Sequence, residues 1–181
     1  SSMIRGILER YFSAARLDAI FAQHAQQQYT RNLLFSTTCT LLLQVVLQVK
    51  PSVYAATQTW EGDFPVSKTA LYDKLNGTEP AVVAALVRTL TQDMIDIQDA
   101  LGIARPPLLA GFDVRILDGN CIAASEKRLA VHRQIGSAPL PGKSLVVMDP
   151  ARKMLVDVFP CEDGHAQERS LLDQVIPTVK P

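Results

Sequence analysis

Apolar residues recur every three or four positions along the first part of the chain, a spacing typical of amphipathic helices. It predicts helical structure from Ile4 to about Gln28, with Ser13 placed to cap a second helix that starts near Ala14. The uncharged run Asn32–Val49 carries several Ser, Thr and Gln side chains, which are too polar for a bilayer. We therefore predict a central buried helix there, ended by Pro51.

Two more helices are predicted before the pattern changes. Ser67 suits the N-cap of a short helix through Leu75, which the pair Asn76-Gly77 would close. An apolar stripe then runs from Val82 to Leu101 at helical spacing, so a long helix is predicted from Thr78 onward.

Short apolar runs replace the helical period after Arg105-Pro106-Pro107, which marks a predicted domain boundary. The run Val114–Leu117 predicts a short buried strand, and Asp118 stands where that strand gives way to Gly119. An acidic residue at the end of a buried strand is the first candidate for chemistry in this chain.

A hairpin and a helix are predicted to follow. The turn Asp149-Pro150-Ala151-Arg152 has proline in its second position, and it joins the predicted strands Lys143–Met148 and Lys153–Phe159. A last helix, capped by Asp163, is predicted from about His165 to Ile176.

The order of these elements predicts the α+β fold class. An all-helical region over residues 1–104 precedes three antiparallel strands and a helix over residues 105–181. A hydrophobic fraction of 48% and a charged fraction of 20% fit a folded chain that buries a core. Lys+Arg and Asp+Glu number 18 each, so the net charge gives no support to nucleic-acid binding.

The cysteines and the start of the chain bear on its compartment. Cys39, Cys121 and Cys161 are odd in number and far apart, which argues against a disulfide framework or a zinc site and suits a reducing cytosol. Ser1–Arg5 has no apolar run long enough for a signal peptide. We therefore expect a cytoplasmic protein with no membrane partner.

Asp118 has two interpretations. A carboxylate that leaves water must be paired or must bind a metal, so a metal site is one interpretation of its predicted position. A solvated Asp-Gly turn is the alternative and the commoner setting of this dipeptide. Asp157, Glu162 and Asp163 are weaker candidates, because a strand position or helix capping explains them without a metal.

The helix predicted after Ser67 offers a candidate DNA-binding face. Lys68, Thr69, Tyr72 and Lys74 would decorate it, as in the recognition helix of a helix-turn-helix. A connecting helix with a polar face is the alternative, since no groove contact can be read from spacing alone.

Longer motifs surround these residues: Arg115–Asn120, Ala138–Ser144, Phe159–Ser170 and, in the helical half, Ser67–Leu75. Together they resemble bacterial insertion-sequence transposases of the DDE class, in the IS-four-type group. The resemblance extends over most of the chain and is strongest from Asp113 to Ile176.

The resemblance implies an incomplete ribonuclease-H-like domain, in which a fourth strand would lie parallel to the first. Asp118 would be the first acidic residue of a catalytic triad that holds Mg²⁺ for DNA strand cleavage and transfer. The helical region would belong to the DNA-binding part. From their positions, Lys143 beside its strand and His165 at the helix entry are expected to make structural or DNA-backbone contacts rather than to act in catalysis. The family's second Asp and its Glu lie beyond Pro181, so we expect that this chain alone neither cuts nor joins DNA.

Three functions remain open from the sequence. The first is part of a DDE transposase that needs residues beyond Pro181. The second is a non-catalytic DNA-binding remnant or a truncated inhibitor that pairs with an intact transposase. The third is a small α/β interaction module with no DNA role, favoured by net neutrality. The strand bearing Asp118 would lack its neighbour, so self-association is also expected.

Overall fold

The computed structural model describes residues 2–26, 32–103, 106–122, 142–161 and 168–178. Within them, helices come first and a three-stranded antiparallel sheet follows, which confirms the α+β class. The chain divides into two compact units, Ser1–Leu86 and Val87–Pro181, and the division falls inside one long helix. None of the described helices is long and apolar enough to cross a bilayer.

The elements are numbered in chain order. The first helices are α1 (Ser2–Tyr11), α2 (Ala14–His24), α3 (Phe35–Val46), α4 (Val53–Thr57), α5 (Lys68–Asn76) and α6 (Pro80–Ala100). The strands are β1 (Ile116–Ile122), β2 (Gly142–Asp149) and β3 (Met154–Cys161), and they are followed by α7 (Leu172–Val175) between two 3-10 turns, Glu168–Leu171 and Ile176–Thr178.

Two apolar clusters hold the first unit together. One joins α2, α3 and the start of α6, and its aromatic rings Phe21 and Phe35 stack with centroids 5.3 Å apart. The other joins α3, α4 and α5 through Leu41, Ala56 and Leu71, each at most 1% exposed. Because α3 contributes to both clusters, it is the central buried helix that its uncharged sequence predicts.

A carboxylate links α2 to the start of α3. Asp18 accepts hydrogen bonds from the backbone N–H and from the hydroxyl of Ser36, both at 2.8 Å. The first N–H groups of a helix have no partner within the helix, so an acid from a neighbouring helix satisfies one of them and also suits the helix dipole.

Helix α3 ends earlier than the predicted Val49, and Pro51 does not end it. Gln48 adopts a left-handed conformation with φ of 58°, and its N–H bonds to the carbonyl of Val45. The N–H of Val49 reaches back to Gln44 at 2.8 Å, which completes a Schellman motif. The backbone therefore closes the helix at Val46, several residues before the proline.

The second unit is built on the sheet, in the order β1-β2-β3. Leu145 and Val147 of β2 lie opposite Phe159 and Asp157 of β3, and they form one face. Leu171 and Val175, from the segment that includes α7, pack on that face and complete a second apolar core. The pairing between the two runs around Leu145 and Leu155 was predicted and is confirmed.

The first strand differs from its prediction. It begins at Ile116 rather than Val114 and continues to Ile122, and Asp118 is its third residue rather than its last. Pairing with β2 continues through this stretch, so Gly119 lies opposite Leu145 as a strand residue and not in a turn. The strand was expected to be buried, yet Ile116 is 45% and Leu117 is 37% exposed, because no described residues cover them.

The last helix is also shorter than predicted. Its described part is a 3-10 turn, the four residues of α7 and a second 3-10 turn, ending at Thr178. The predicted cap Asp163 and helix start His165 lie outside the described residues.

Candidate functional site

Asp118 lies on the face of the sheet that is opposite to the apolar core of the second unit, which we call the open face. The register places it opposite Val146, whereas the packed face carries Leu145 and Val147. Its side chain is exposed, so the carboxylate keeps its hydration and needs neither a cation nor a metal for its own stability. The burial on which the metal-site prediction was argued is therefore absent at this residue.

The neighbouring acid Asp157 cannot share a metal with Asp118. Asp118 pairs with Val146 and Asp157 pairs with Val147, and consecutive residues of one strand point to opposite faces. The two carboxylates therefore project on opposite sides of the sheet. Among the described residues, no group of three His, Cys, Asp or Glu side chains is placed to hold a metal ion.

Asp157 has a different role, because it is paired with an arginine. Arg88 of α6 donates from Nε to Oδ1 of Asp157 at 2.7 Å, and the N–H of Val158 donates to the same oxygen at 2.7 Å. The guanidinium also lies 5.3 Å from the ring centroid of Phe159. The acid is 8% exposed, and its charge is balanced where it is buried.

A second ionic network surrounds the β2–β3 turn. Asp149, 3% exposed, caps that turn by accepting from the N–H of Arg152 at 2.9 Å, and it lies 3.2 Å from the guanidinium of Arg115. Arg152 also bonds to Asp99 at 2.8 Å, and this hydrogen bond contributes most to raising the pKa of its guanidinium. Arg115 makes a two-bond contact with Asp113.

These acids line a cavity of about 360 Å³, together with Arg152 and the apolar residues Leu108 and Phe112. Two arginines stand among three aspartates, so most of the negative charge is already neutralised. A divalent cation would have to displace those guanidinium groups to reach the carboxylates. The charged residues around this cavity therefore form an ion-paired cluster that fixes the conformation of the β2–β3 turn.

The candidate DNA-binding helix α5 presents a polar face. Ser67 caps it, accepting from the N–H of Ala70 at 3.2 Å, as predicted. Lys68, Thr69 and Tyr72 are exposed on its surface. The ammonium of Lys68 lies 4.6 Å from the ring centroid of Tyr54, which is a cation–π distance.

Lys74 is placed differently from the other candidates on α5. Its side chain is half-buried, and its ammonium lies 4.5 Å from the ring centroid of Phe21. Burial lowers the pKa of Lys74 below its usual value, and the charge of Asp18 partly opposes that shift. The side chain lines a cavity of about 470 Å³ with Phe21, Leu33 and Val66. To contact a phosphate, Lys74 would have to leave this ring.

The connection between α4 and α5 is longer than the turn of a typical helix-turn-helix. Residues 58–67 connect α4 to α5, whereas the turn in that motif has three or four residues. Ala56 and Leu71 nevertheless share one buried cluster, so the two helices pack together. Helix α5 is therefore part of a small helical unit, and its polar face is turned outward.

The remaining candidates lie in the second unit. Lys143 is on β2, between Cys121 of β1 and Cys161 of β3, and its side chain is not among those described. Glu162, Asp163 and His165 lie outside the described residues.

Sequence reasoning missed the arginines. Arg88 and Asp157 are 69 positions apart, and Arg115 and Asp149 are 34 apart, so no local spacing indicates either pair. The one available signal was the acid Asp157 inside a strand of apolar residues, because a buried acid requires a cation.

Comparison with protein-family models, with curated proteins and with solved structures finds no match to this chain.

Proposed function

We propose that this chain is the first part of a DDE transposase, in which the helical unit contacts DNA and Asp118 supplies the first carboxylate of the catalytic set. The observation that carries the proposal is the position of Asp118. It is exposed on the open face of the first strand of a three-stranded antiparallel sheet, and a helical segment follows that sheet. This order and position agree with what the motif around Arg115–Asn120 implies.

The described residues fit only part of such a centre. Two-metal phosphoryl transfer requires several carboxylates around ions roughly 4 Å apart. Asp118 is the one acid of the described sheet on the open face, since Asp149 and Asp157 are tied to arginines on the other side. A single carboxylate does not hold two Mg²⁺ ions against their hydration, so further acids would have to come from elsewhere.

The DNA-binding part of the proposal is supported by α5. Its exposed side chains Lys68, Thr69 and Tyr72 combine a cation, a hydroxyl and a phenol, which are the groups that contact phosphates and base edges. Asp73 and Asn76 share the exposed surface, and the negative charge of Asp73 would repel phosphates. Binding would therefore rest on few positive charges.

A second candidate is a non-catalytic protein: a DNA-binding remnant, or an inhibitor that pairs with an intact transposase. The pairing of Asp149 and Asp157 with arginines favours it, because acids held in ion pairs are not available as metal ligands. Pairing with an intact copy would use strand β1, which among the described strands pairs with β2 alone.

The DNA downstream of codon 181 separates the two candidates. If the frame continues into a strand with an Asp, the extended protein should nick supercoiled DNA in Mg²⁺ or Mn²⁺. The Asp118→Asn variant should lose at least a hundredfold in rate. Asp173→Asn, which removes an exposed acid of α7, is the matched control and should keep full activity.

A stop codon at that point favours the remnant or the inhibitor. The chain should then reduce transposition when it is co-expressed with a full-length homologue. An extended protein whose nicking is equal in the Asp118→Asn and Asp173→Asn variants would contradict the proposed role of Asp118.

A further inference from the structure

Helix α5 carries one lysine that does not belong to its exposed polar face. Lys68, Thr69 and Tyr72 are exposed, whereas Lys74 is half-buried and its ammonium lies 4.5 Å from the ring centroid of Phe21. Lys74 lines the cavity of about 470 Å³, and every described residue of that lining belongs to the first unit. We therefore looked for a role of Lys74 within this cavity.

The cavity has the size and the lining of a small-molecule site. Such sites usually measure about 300–1,000 Å³, and their walls are mainly apolar with a few polar groups. Phe21, Leu33, Val66 and Ala70 form the apolar part of the wall. Phe21 and Leu33 are 5% and 6% exposed, and one belongs to each of the two apolar clusters of the unit. Packing of the unit therefore holds this wall in place.

The polar groups of the lining differ in their surroundings. Both carboxylate oxygens of Glu79 accept from the N–H of Gln26, at 3.1 and 3.0 Å. The hydroxyl of Thr78 donates to the backbone carbonyl of Lys74 at 3.0 Å. Asp73 is exposed, so water and salt screen its charge. Lys74 supplies the one cation among the described lining residues.

The ammonium of Lys74 has lost part of its hydration. Burial lowers the pKa of Lys74, and the charge of Asp18 only partly opposes that effect. The charged form is therefore disfavoured at this position, and an anion placed beside it would offset the lost hydration. A flat apolar group attached to that anion would contact the apolar wall.

We propose that this cavity binds a small aromatic carboxylate, whose carboxylate pairs with the ammonium of Lys74 and whose ring lies against the apolar wall. Such a ligand matches the lining in charge and in polarity, since it brings one negative charge to one cation. The site goes beyond the proposed function and requires no other part of a transposase. It assigns Lys74 to ligand binding rather than to a DNA contact.

The first test is isothermal titration calorimetry of the 181-residue chain with naphthoate and with naphthamide. The two probes share one ring system, and only naphthoate carries a charge. We expect naphthoate to bind at one site per chain, about tenfold more tightly than naphthamide, because a charge-assisted hydrogen bond to Lys74 forms with naphthoate alone.

Substitution of Lys74 tests the role of its charge. Lys74→Met removes the charge and keeps an unbranched apolar side chain beside Phe21. It should lower the affinity for naphthoate about tenfold and leave that for naphthamide within about twofold. Lys74→Arg keeps a cation and should keep the preference for naphthoate. Lys50→Met is the matched control, because it removes the same charge from the same unit outside the described lining.

A third variant tests whether the probes occupy the cavity. Ala70 lines it and is exposed on α5, so Ala70→Trp places a large side chain there without replacing a core residue. Both probes should then bind at least tenfold more weakly, since the added ring competes with them for the same space.

Four outcomes would overturn the proposal. If neither probe bound at millimolar concentration, the cavity would take no such ligand. Equal affinity of the original protein for the two probes would exclude a role for charge. Equal losses in Lys74→Met and Lys50→Met would indicate a general effect of net charge. Unchanged binding in Ala70→Trp would place the probes elsewhere. None of these outcomes bears on DNA binding through Lys68 or on nicking, so the two proposals fail separately.

Discussion

Asp157 illustrates how one residue can be assigned by the face it occupies. In the sequence it is an acid within an apolar strand, and this position leaves two roles open, metal ligand and structural residue. In the structure its carboxylate meets the guanidinium of Arg88 and the N–H of Val158, on the packed side of the sheet. Its contribution is therefore to stability.

We expect Asp157→Asn to lower the free energy of unfolding by about 1–2 kcal/mol, because it leaves Arg88 without a counter-charge beside a packed core. Arg88 is 47% exposed, which keeps the loss below that of a fully buried pair. Urea unfolding measures it, with the exposed Asp173→Asn as control. Equal stability of the two variants would show that the ion pair contributes nothing.

Cys39 is a thiol whose surroundings decide its protonation. Burial, and secondarily the charge of Asp18, raises the pKa of Cys39 from 9.0 to about 11. The thiol therefore stays protonated in the folded chain over a pH range in which the unfolded chain loses the proton. A raised pKa of this kind adds stability below pH 9 and loses it as the pH rises towards 11.

We predict that the free energy of unfolding falls by on the order of 1–2 kcal/mol more in the original protein than in Cys39→Ala between these pH values. The other titrating groups are common to both proteins, so they cancel in the difference. Unfolding curves in urea at several pH values from 8 upward provide the measurement. If the free energy of unfolding changed equally with pH in the two proteins, the thiol would ionise normally in the folded state.

At the scale of one element, α3 shows how a helix can end without the glycine that is usual at its C-terminal end. Gln48 occupies the left-handed position of a Schellman motif, where glycine is preferred because it has no Cβ. The strain of a side chain in this conformation is roughly 1 kcal/mol. The chain tolerates it because two backbone hydrogen bonds close the helix there.

Gln48→Gly should therefore raise the free energy of unfolding by about 0.5–1 kcal/mol, and the midpoint of thermal unfolding should rise with it. The matched control is Gln44→Gly in the last turns of the same helix, which should lower stability by about 1 kcal/mol. A loss of stability in both variants would show that the left-handed conformation of Gln48 is not strained.

At the scale of the whole molecule, charge limits what the chain can bind. Lys+Arg and Asp+Glu are equal in number, and several arginines are already paired with aspartates. The cations are scattered along the chain and balanced by acids, so few phosphates can be neutralised at once and little counterion release accompanies DNA binding. The affinity of any DNA contact through α5 would therefore depend only weakly on salt concentration.

We expect the isolated chain to bind duplex DNA weakly and without sequence preference, with loss of binding at physiological salt. Fluorescence anisotropy of a labelled duplex at low and moderate salt measures this. Lys68→Glu should reduce the affinity further and lower the salt slope by about one. Lys153→Glu, an equal charge change in the β2–β3 turn, is the control. Sub-micromolar binding at physiological salt would contradict the expectation.

The chain alone should also fail to cut or join DNA. The described residues bring one exposed carboxylate, Asp118, to the open face of the sheet, and a two-metal centre requires more. A nicking assay on supercoiled DNA with Mg²⁺ or Mn²⁺ should show no cleavage above a blank. Cleavage that disappears in Asp118→Ala would contradict this and would mean that a second chain completes the site.

Much of the helical half could be predicted from local pattern. Apolar spacing located α2, α5 and α6 within about two residues, and Ser67 was recognised as a cap. These features depend on neighbours within one or two turns, which the sequence displays directly. The β2–β3 hairpin was predicted for the same reason, since its turn residues are contiguous.

Other features were decided only by tertiary structure. Periodicity indicated that residues near Asp118 form a strand, but the register with β2 determined that the carboxylate faces away from the core and from Asp157. A shift of one residue would have reversed that result, because adjacent strand residues face opposite sides. The pairing of Arg88 with Asp157 likewise joins residues 69 positions apart, and a contact between distant residues leaves no local pattern to read.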